Sequence, residues 1–379
     1  VQRQIRNATT VPYTDDGNRS KQIIDYGFYI KNMEILQYLT EFRTNSLLTG
    51  HLRGVTDEEA KFLSRVMGSL RLMQDRTPPE FTVGRMWHEF DNKMLSRILE
   101  SDTRAFNHIG AHSYKDFRKI KDTVEAAIRE VVRTLCLYQY LVAKESDFSA
   151  LFTNLNSGFF SVDGKKLNSK IMHYEEWQII RPLLDRLRTD KPDQQIKIVE
   201  IGAGEGQLAR ILFSKIEREP IKYVIVDLPS MHMRSAYFLF TNGVTNICTY
   251  KEFLELGGSL EAAFEHFDVV FLPPWEKSKL LDIEVDLYIN MRSLSEMSVG
   301  EAREYLDVIQ SNGRSFFSIN TNKASYNPDK QNDIYPELSF LELSDGLKLN
   351  VTETGATFAD ALFMKNIHHV YTIFERSGV

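Results

Sequence analysis

Residues 196–212 read IKIVEIGAGEGQLARIL. A short run rich in β-branched residues, Ile196 to Ile201, gives way to Gly202, Gly204 and Gly206, and a helix is predicted to start near Gln207. A ligand can approach the carboxyl end of a parallel strand closely only where the backbone lacks Cβ and can adopt unusual φ/ψ values. The spacing then discriminates between cofactors. A dinucleotide loop, G-x-G-x-x-G, would need glycine at position 207, where this chain has Gln207. That disfavours a dehydrogenase.

Outward from this loop, short apolar runs alternate with helical segments, as expected when covering helices join parallel strands. Strands are predicted at 196–201, 222–227, 267–272, 286–290, 314–319 and 368–374, with 245–250 a weaker candidate. The fold class is α/β, a doubly wound Rossmann-like sheet. Asp227 ends the second strand in VIVDLP, where its carboxylate could accept both hydrogen bonds of a ribose diol. The plainer alternative is a strand-to-helix turn with Asp227 capping the next helix.

The first 150 residues have a helical rhythm instead. Thr56 and Glu59 have capping-box spacing, and Phe62, Val66, Leu70 and Met73 follow along one face. A longer amphipathic stretch runs from Asp122 to Val142. We therefore expect a helical N-terminal domain, 1–150, acting as acceptor lid, dimerisation surface or both, and a cofactor domain, 151–379. Asn154 to Asn168, rich in Asn, Ser and Gly, reads as a linker or lid, and 173–187 as a helix feeding the first strand.

The loop Glu200-x-Gly202-x-Gly204-x-Gly206 resembles the first motif of class I S-adenosylmethionine-dependent methyltransferases. The resemblance implies that Glu200 helps hold the methionine moiety, often through water, and that Gly202, Gly204, Gly206, Gln207, Asp227 and Leu228 bind the cofactor. Within that superfamily, about residues 155–340 resemble the sugar O-methyltransferases. Leu228-Pro229, Asn290-x-x-Ser293-x-x-Glu296-Met297 and Ser318-x-Asn320 carry this likeness. Two positions depart from the pattern. Glu205 stands where an aromatic residue is expected, and Arg292 where a small or neutral one is usual.

Methyl transfer to an alcohol needs alignment of the acceptor and removal of a proton as the bond forms. Glu296 is a candidate base, although its spacing from Ser293 equally suits a capping box. His173 is the preferred histidine, because it precedes the helix leading to the first strand and could close over the pocket. His88, beside Trp87 and Phe90, ranks second. Asn290, Arg292, Ser293, Tyr174 and Asn320 are the expected acceptor contacts. Pro273, Pro274 and Trp275 could wall an adenine or acceptor, and the polar stretch from Tyr326 to Pro336 could fold over a ligand.

Net charge is −6, with 46 Lys and Arg against 52 Asp and Glu, so a nucleic-acid or anionic-lipid footprint is not expected. Two cysteines, Cys136 and Cys248, without a Cys-x-x-Cys pair, suggest neither a disulfide framework nor a structural zinc. No metal-ligating motif stands out, and no long apolar run suggests a membrane span. The expectation is a cytoplasmic enzyme using S-adenosyl-L-methionine on a small-molecule acceptor, most simply a sugar or sugar-bearing natural product. The alternatives are N-methylation of an amino-acid-derived metabolite and a non-catalytic cofactor-binding subunit. The unpartnered apolar helix faces favour a homodimer, and sedimentation showing only monomer at micromolar concentration would defeat that expectation.

Overall fold

Strands buried on both faces carry nearly unbroken apolar runs, and the sheet of this protein is assembled from them. The computed structural model describes residues 56–79, 81, 165–192, 194–213, 221–321, 344, 347–357 and 369–376. Six strands run parallel: β1 (Ile196–Ile201), β2 (Ile221–Val226), β3 (Ile247–Cys248), β4 (Val269–Leu272), β5 (Val285–Met291) and β6 (Gly313–Thr321). Two more, β7 (Asn350–Gly355) and β8 (His369–Glu375), close one side in antiparallel fashion, with a register irregularity in β7 between Val351 and Glu353. The sheet order is β3-β4-β2-β1-β5-β6-β8-β7.

This order reverses at β1. Ile201 at its end lies opposite Val226 of β2 on one side and Asn290 of β5 on the other. The crevice beyond these carboxyl ends is the topological switch point, where open α/β sheets take their ligands. The apolar runs tolerate buried carboxylates where these are paired. Asp286 of β5, 2% exposed, accepts from the Lys191 ammonium at 2.6 Å and the Lys197 backbone N–H at 2.9 Å.

The helices are α1 (Asp57–Arg76), α2 (Lys165–Asp190), α3 (Gln207–Leu212), α4 (Pro229–Thr241), α5 (Tyr250–Glu255), α6 (Leu260–His266) and α7 (Val299–Asn312). Two 3-10 segments, Pro274–Asp282 and Leu294–Glu296, flank β5. α1 begins with the expected capping box between Thr56 and Glu59, and Phe62, Val66, Leu70 and Met73 are buried. Its buried face meets α4, where Phe62 stacks on Phe240 with ring centroids 4.1 Å apart. Arg65 donates to the Ile247 carbonyl at 2.9 Å and pairs with Glu252 at 3.1 Å. The Ser69 hydroxyl accepts from the Lys251 backbone N–H.

The chain forms two compact units that interleave in sequence. One comprises Val1–Gly54, Asn107–Glu175 and Phe358–Lys365, and the other Val55–Phe106, Glu176–Thr357 and Asn366–Val379. α1 therefore belongs with the sheet. α2 starts at Lys165, so residues 165–168, expected in a linker, are helical. The stretches 122–142, 154–164 and 326–336, and His88, lie outside the described residues. Among the described residues, no helix is long and apolar enough to cross a membrane.

Candidate active site

All three loop glycines have positive φ: 72° at Gly202, 59° at Gly204 and 74° at Gly206. Each has different surroundings. A Cβ on Gly202 would lie 2.1 Å from Ser293 Oγ, and one on Gly206 would lie 3.3 Å from Ser235 Cβ. A Cβ on Gly204 would meet nothing within 4 Å. Two glycines thus permit close packing, while the third leaves an open approach to the backbone.

Asp227 ties this loop to the tip of β2. Its Oδ2 accepts from the Gly204 N–H at 2.8 Å and its Oδ1 from the Leu228 N–H at 2.7 Å. Glu200 is placed differently from the expectation. It is 1% exposed, its Oε2 accepts from the Tyr223 hydroxyl at 2.8 Å, and it does not line the cleft. Burial and the Glu200 charge push the Tyr223 hydroxyl well above its usual pKa, so it remains a donor. Gln207 is likewise buried, with its amide donating to Glu205. The unexpected Glu205 pairs with Arg234 of α4, itself 6% exposed, which fastens the loop from behind.

The segment after β5 is organised by amides. Asn290, fully buried, donates to the Ile201 carbonyl at 2.9 Å and to Ser293 Oγ, while its Oδ1 accepts from the Leu294 N–H and the Asn320 amide. Asn320, 1% exposed, also accepts from the Ser295 N–H and donates to Ser318. Asn290 and Asn320, expected as acceptor contacts, are both buried. Both are used up in fixing the loop across β1, β5 and β6. Ser293 donates to the Ile201 carbonyl at 3.0 Å and stands at the N-cap of the Leu294–Glu296 segment without a side-chain cap bond, while Asn290 Oδ1 accepts from the first N–H of that segment. α7 is capped separately by Ser298, which accepts from the Glu301 N–H.

These elements frame a cleft of about 810 Å³, counted out to its open mouth. Gly202, Gly204, Val226, Asp227 and Leu228 form its floor; Met291, Arg292, Ser293, Glu296, Met297 and Ser298 form one wall. Phe81, Met231, Pro274, Glu301 and Tyr305 complete it. Of the expected residues, the cleft gathers Gly202, Gly204, Asp227, Leu228, Pro274, Arg292, Ser293 and Glu296. Gly206 and Gln207 lie behind the loop. Trp275 sits outside the lining and meets Phe81 edge-on, with centroids 5.1 Å apart. His173, half-buried, and Tyr174, buried, lie on α2 within the first unit.

Phe81, Met231, Glu301 and Tyr305 are additions that sequence reading missed. Phe81 comes from a segment far from the motifs, whereas Met231, Glu301 and Tyr305 follow shortly after them on α4 and α7. Burial, then the Glu301 and Asp227 charges, push the Tyr305 hydroxyl well above its usual pKa. Glu301 is itself held by Lys277 at 2.7 Å.

No family model matches the chain, and no curated protein matches it. Among solved structures, it is similar to the magnesium protoporphyrin IX methyltransferase of Synechocystis PCC 6803 with bound SAH. Identity there is 12%, with 62% of this chain and 97% of that one covered and a TM-score of 0.33. It is also similar to a methyltransferase domain of bacterial Hen1 (14%, 53% and 99%, TM-score 0.31). A geranyl diphosphate methyltransferase in complex with SAM gives 13%, 48% and 78%, with a TM-score of 0.30. Likeness at this level carries nothing about chemistry or acceptor.

Proposed function

We propose that this protein is an S-adenosylmethionine-dependent methyltransferase acting on a small-molecule acceptor, with O-methylation of a sugar or sugar-bearing compound as the specific reaction. One observation carries the reading. Glycines in the left-handed conformation follow β1, and a carboxylate follows β2, lining one cleft at the switch point of the sheet.

The residues present fit such a cofactor. Gly204 leaves its backbone approachable, Asp227 supplies acceptors for a diol, and Phe81, Met231 and Pro274 provide the flat and polarisable apolar contacts that suit an adenine. When bound, the cofactor supplies a sulfonium methyl group for in-line displacement. The chain's own contribution is positional and acid–base. The post-β5 wall orients the acceptor, and Glu296, on that wall, takes the proton from its hydroxyl.

Titration calorimetry with S-adenosylmethionine, with NAD as comparison, tests the reading. Saturable binding of S-adenosylmethionine is expected, and Asp227→Ala should weaken it by about tenfold or more, the loss expected for hydrogen bonds to a charged group. Binding of NAD instead, or of neither, would overturn it.

A further inference from the structure

Three buried tyrosine hydroxyls are satisfied within the fold. Tyr223 donates to Glu200 at 2.8 Å, Tyr250 to Glu276 at 2.6 Å and Tyr288 to Asn312 at 2.9 Å. Tyr305 of α7, 1% exposed, differs from them: its hydroxyl makes no hydrogen bond among the described residues. A donor taken out of water without a partner carries a desolvation cost that nothing in the fold recovers. Such a group calls for a partner from outside the chain.

The ring itself is fixed. The Lys277 ammonium lies 5.3 Å from its centroid and is held by Glu301 and Glu304, each at 2.7 Å. Tyr305 sits in the middle of α7, where side chains cover the helix backbone, so its contribution to the cleft lining is ring and hydroxyl. Helical side chains lean toward the N-terminus, and Tyr305 therefore reaches back over the turn of Glu301, which also lines the cleft. Burial, with the charges of Glu301, Asp227 and Glu304, keeps the hydroxyl protonated, as a donor. Pro274 opens the 3-10 segment that carries Lys277, so Tyr305 stands beside the apolar wall that suits an adenine.

We propose that Tyr305 reads the base of the bound nucleoside, its hydroxyl donating to a ring nitrogen of the purine. The inference rests on the cofactor reading above and deepens it. The ring nitrogens of adenine at positions 1, 3 and 7 are acceptors. The carboxylates of Asp227 and Glu301 accept as well and cannot serve them, whereas a neutral phenol can.

The test uses S-adenosylhomocysteine and its 1-deaza, 3-deaza and 7-deaza analogues, each of which replaces one ring nitrogen with C–H. In calorimetry, Tyr305→Phe should bind S-adenosylhomocysteine about three- to tenfold more weakly than the wild-type chain does. For one of the three analogues that difference should vanish, because the accepting nitrogen is already absent. For the other two it should persist. Urea unfolding of the ligand-free variant should give a midpoint at or above that of the wild type, since no bond within the fold is lost. Unchanged binding of S-adenosylhomocysteine, equal weakening of all four ligands, or a lowered midpoint overturns the inference. A wild-type chain that binds none of the four overturns the cofactor reading itself, and the inference with it.

Discussion

Gly202 and Gly204 share a left-handed backbone but differ in what lies beside them, and that difference separates folding from binding. Alanine at 202 would carry the conformational cost and also collide with Ser293, with which Asn290 and the Ile201 carbonyl interact. Urea unfolding of Gly202→Ala should show a loss of about 3 kcal/mol or more. Gly204→Ala has only the backbone cost, about 1–2 kcal/mol, while its methyl group would add bulk to a residue that lines the cleft proposed for the cofactor. It should remain folded and lose S-adenosylmethionine binding in calorimetry. Equal stability losses in the two variants would contradict this division. The sequence made the glycines legible because their spacing is local. It gave the identity of Asn290 and Asn320 but not their direction, since an amide that faces a ligand and one that faces a neighbouring strand are written with the same letter.

At the scale of elements, α4 carries a buried switch for acid stability. His232, 2% exposed, donates from Nε2 to the Leu272 carbonyl at 3.1 Å and packs against Phe271. Desolvation lowers its pKa to about 4 from 6.5, against the opposing effect of backbone hydrogen bonds. Above pH 6.5 the imidazole is neutral in both the folded and unfolded chains and has no linkage effect. As pH falls from 6.5 toward 4, the unfolded chain takes up a proton that the folded one refuses, so stability drops by roughly 3 kcal/mol. Denaturant unfolding between pH 7 and 4 should show this fall, and His232→Gln should flatten it. An unchanged slope in that variant would assign the acid sensitivity to other groups. α4 itself was not singled out by sequence reading, being apolar on nearly every side and so lacking a marked face.

The whole sheet was legible to different depths. Fully buried strands such as β1 and β2 announce themselves by composition, whereas β7, reading Asn350-Val-Thr-Glu-Thr-Gly355 and largely exposed, has no apolar rhythm to find. β3 shrinks to two residues at the opposite edge. The periodicity of α1 revealed a face that must be covered but not by what, because its partner Phe240 lies far along the chain. This placement makes α1 part of the sheet's own folding unit. Phe62→Ala should cost about 3–5 kcal/mol and shift one common transition seen by circular dichroism and by tryptophan fluorescence. Separate transitions would mean that α1 folds apart from the sheet.

The irregular register of β7 bears on how copies of this protein avoid sticking to one another. A flat strand at the margin of a sheet is a template for an incoming strand from another molecule. Between Val351 and Glu353 the ladder with β8 slips, and such a bulge twists and bends the strand that carries it. The irregular rim that results, with Glu353 beside the slip, is a poorer template for an added strand than a regular edge would be, at the side of the sheet where the strands run antiparallel.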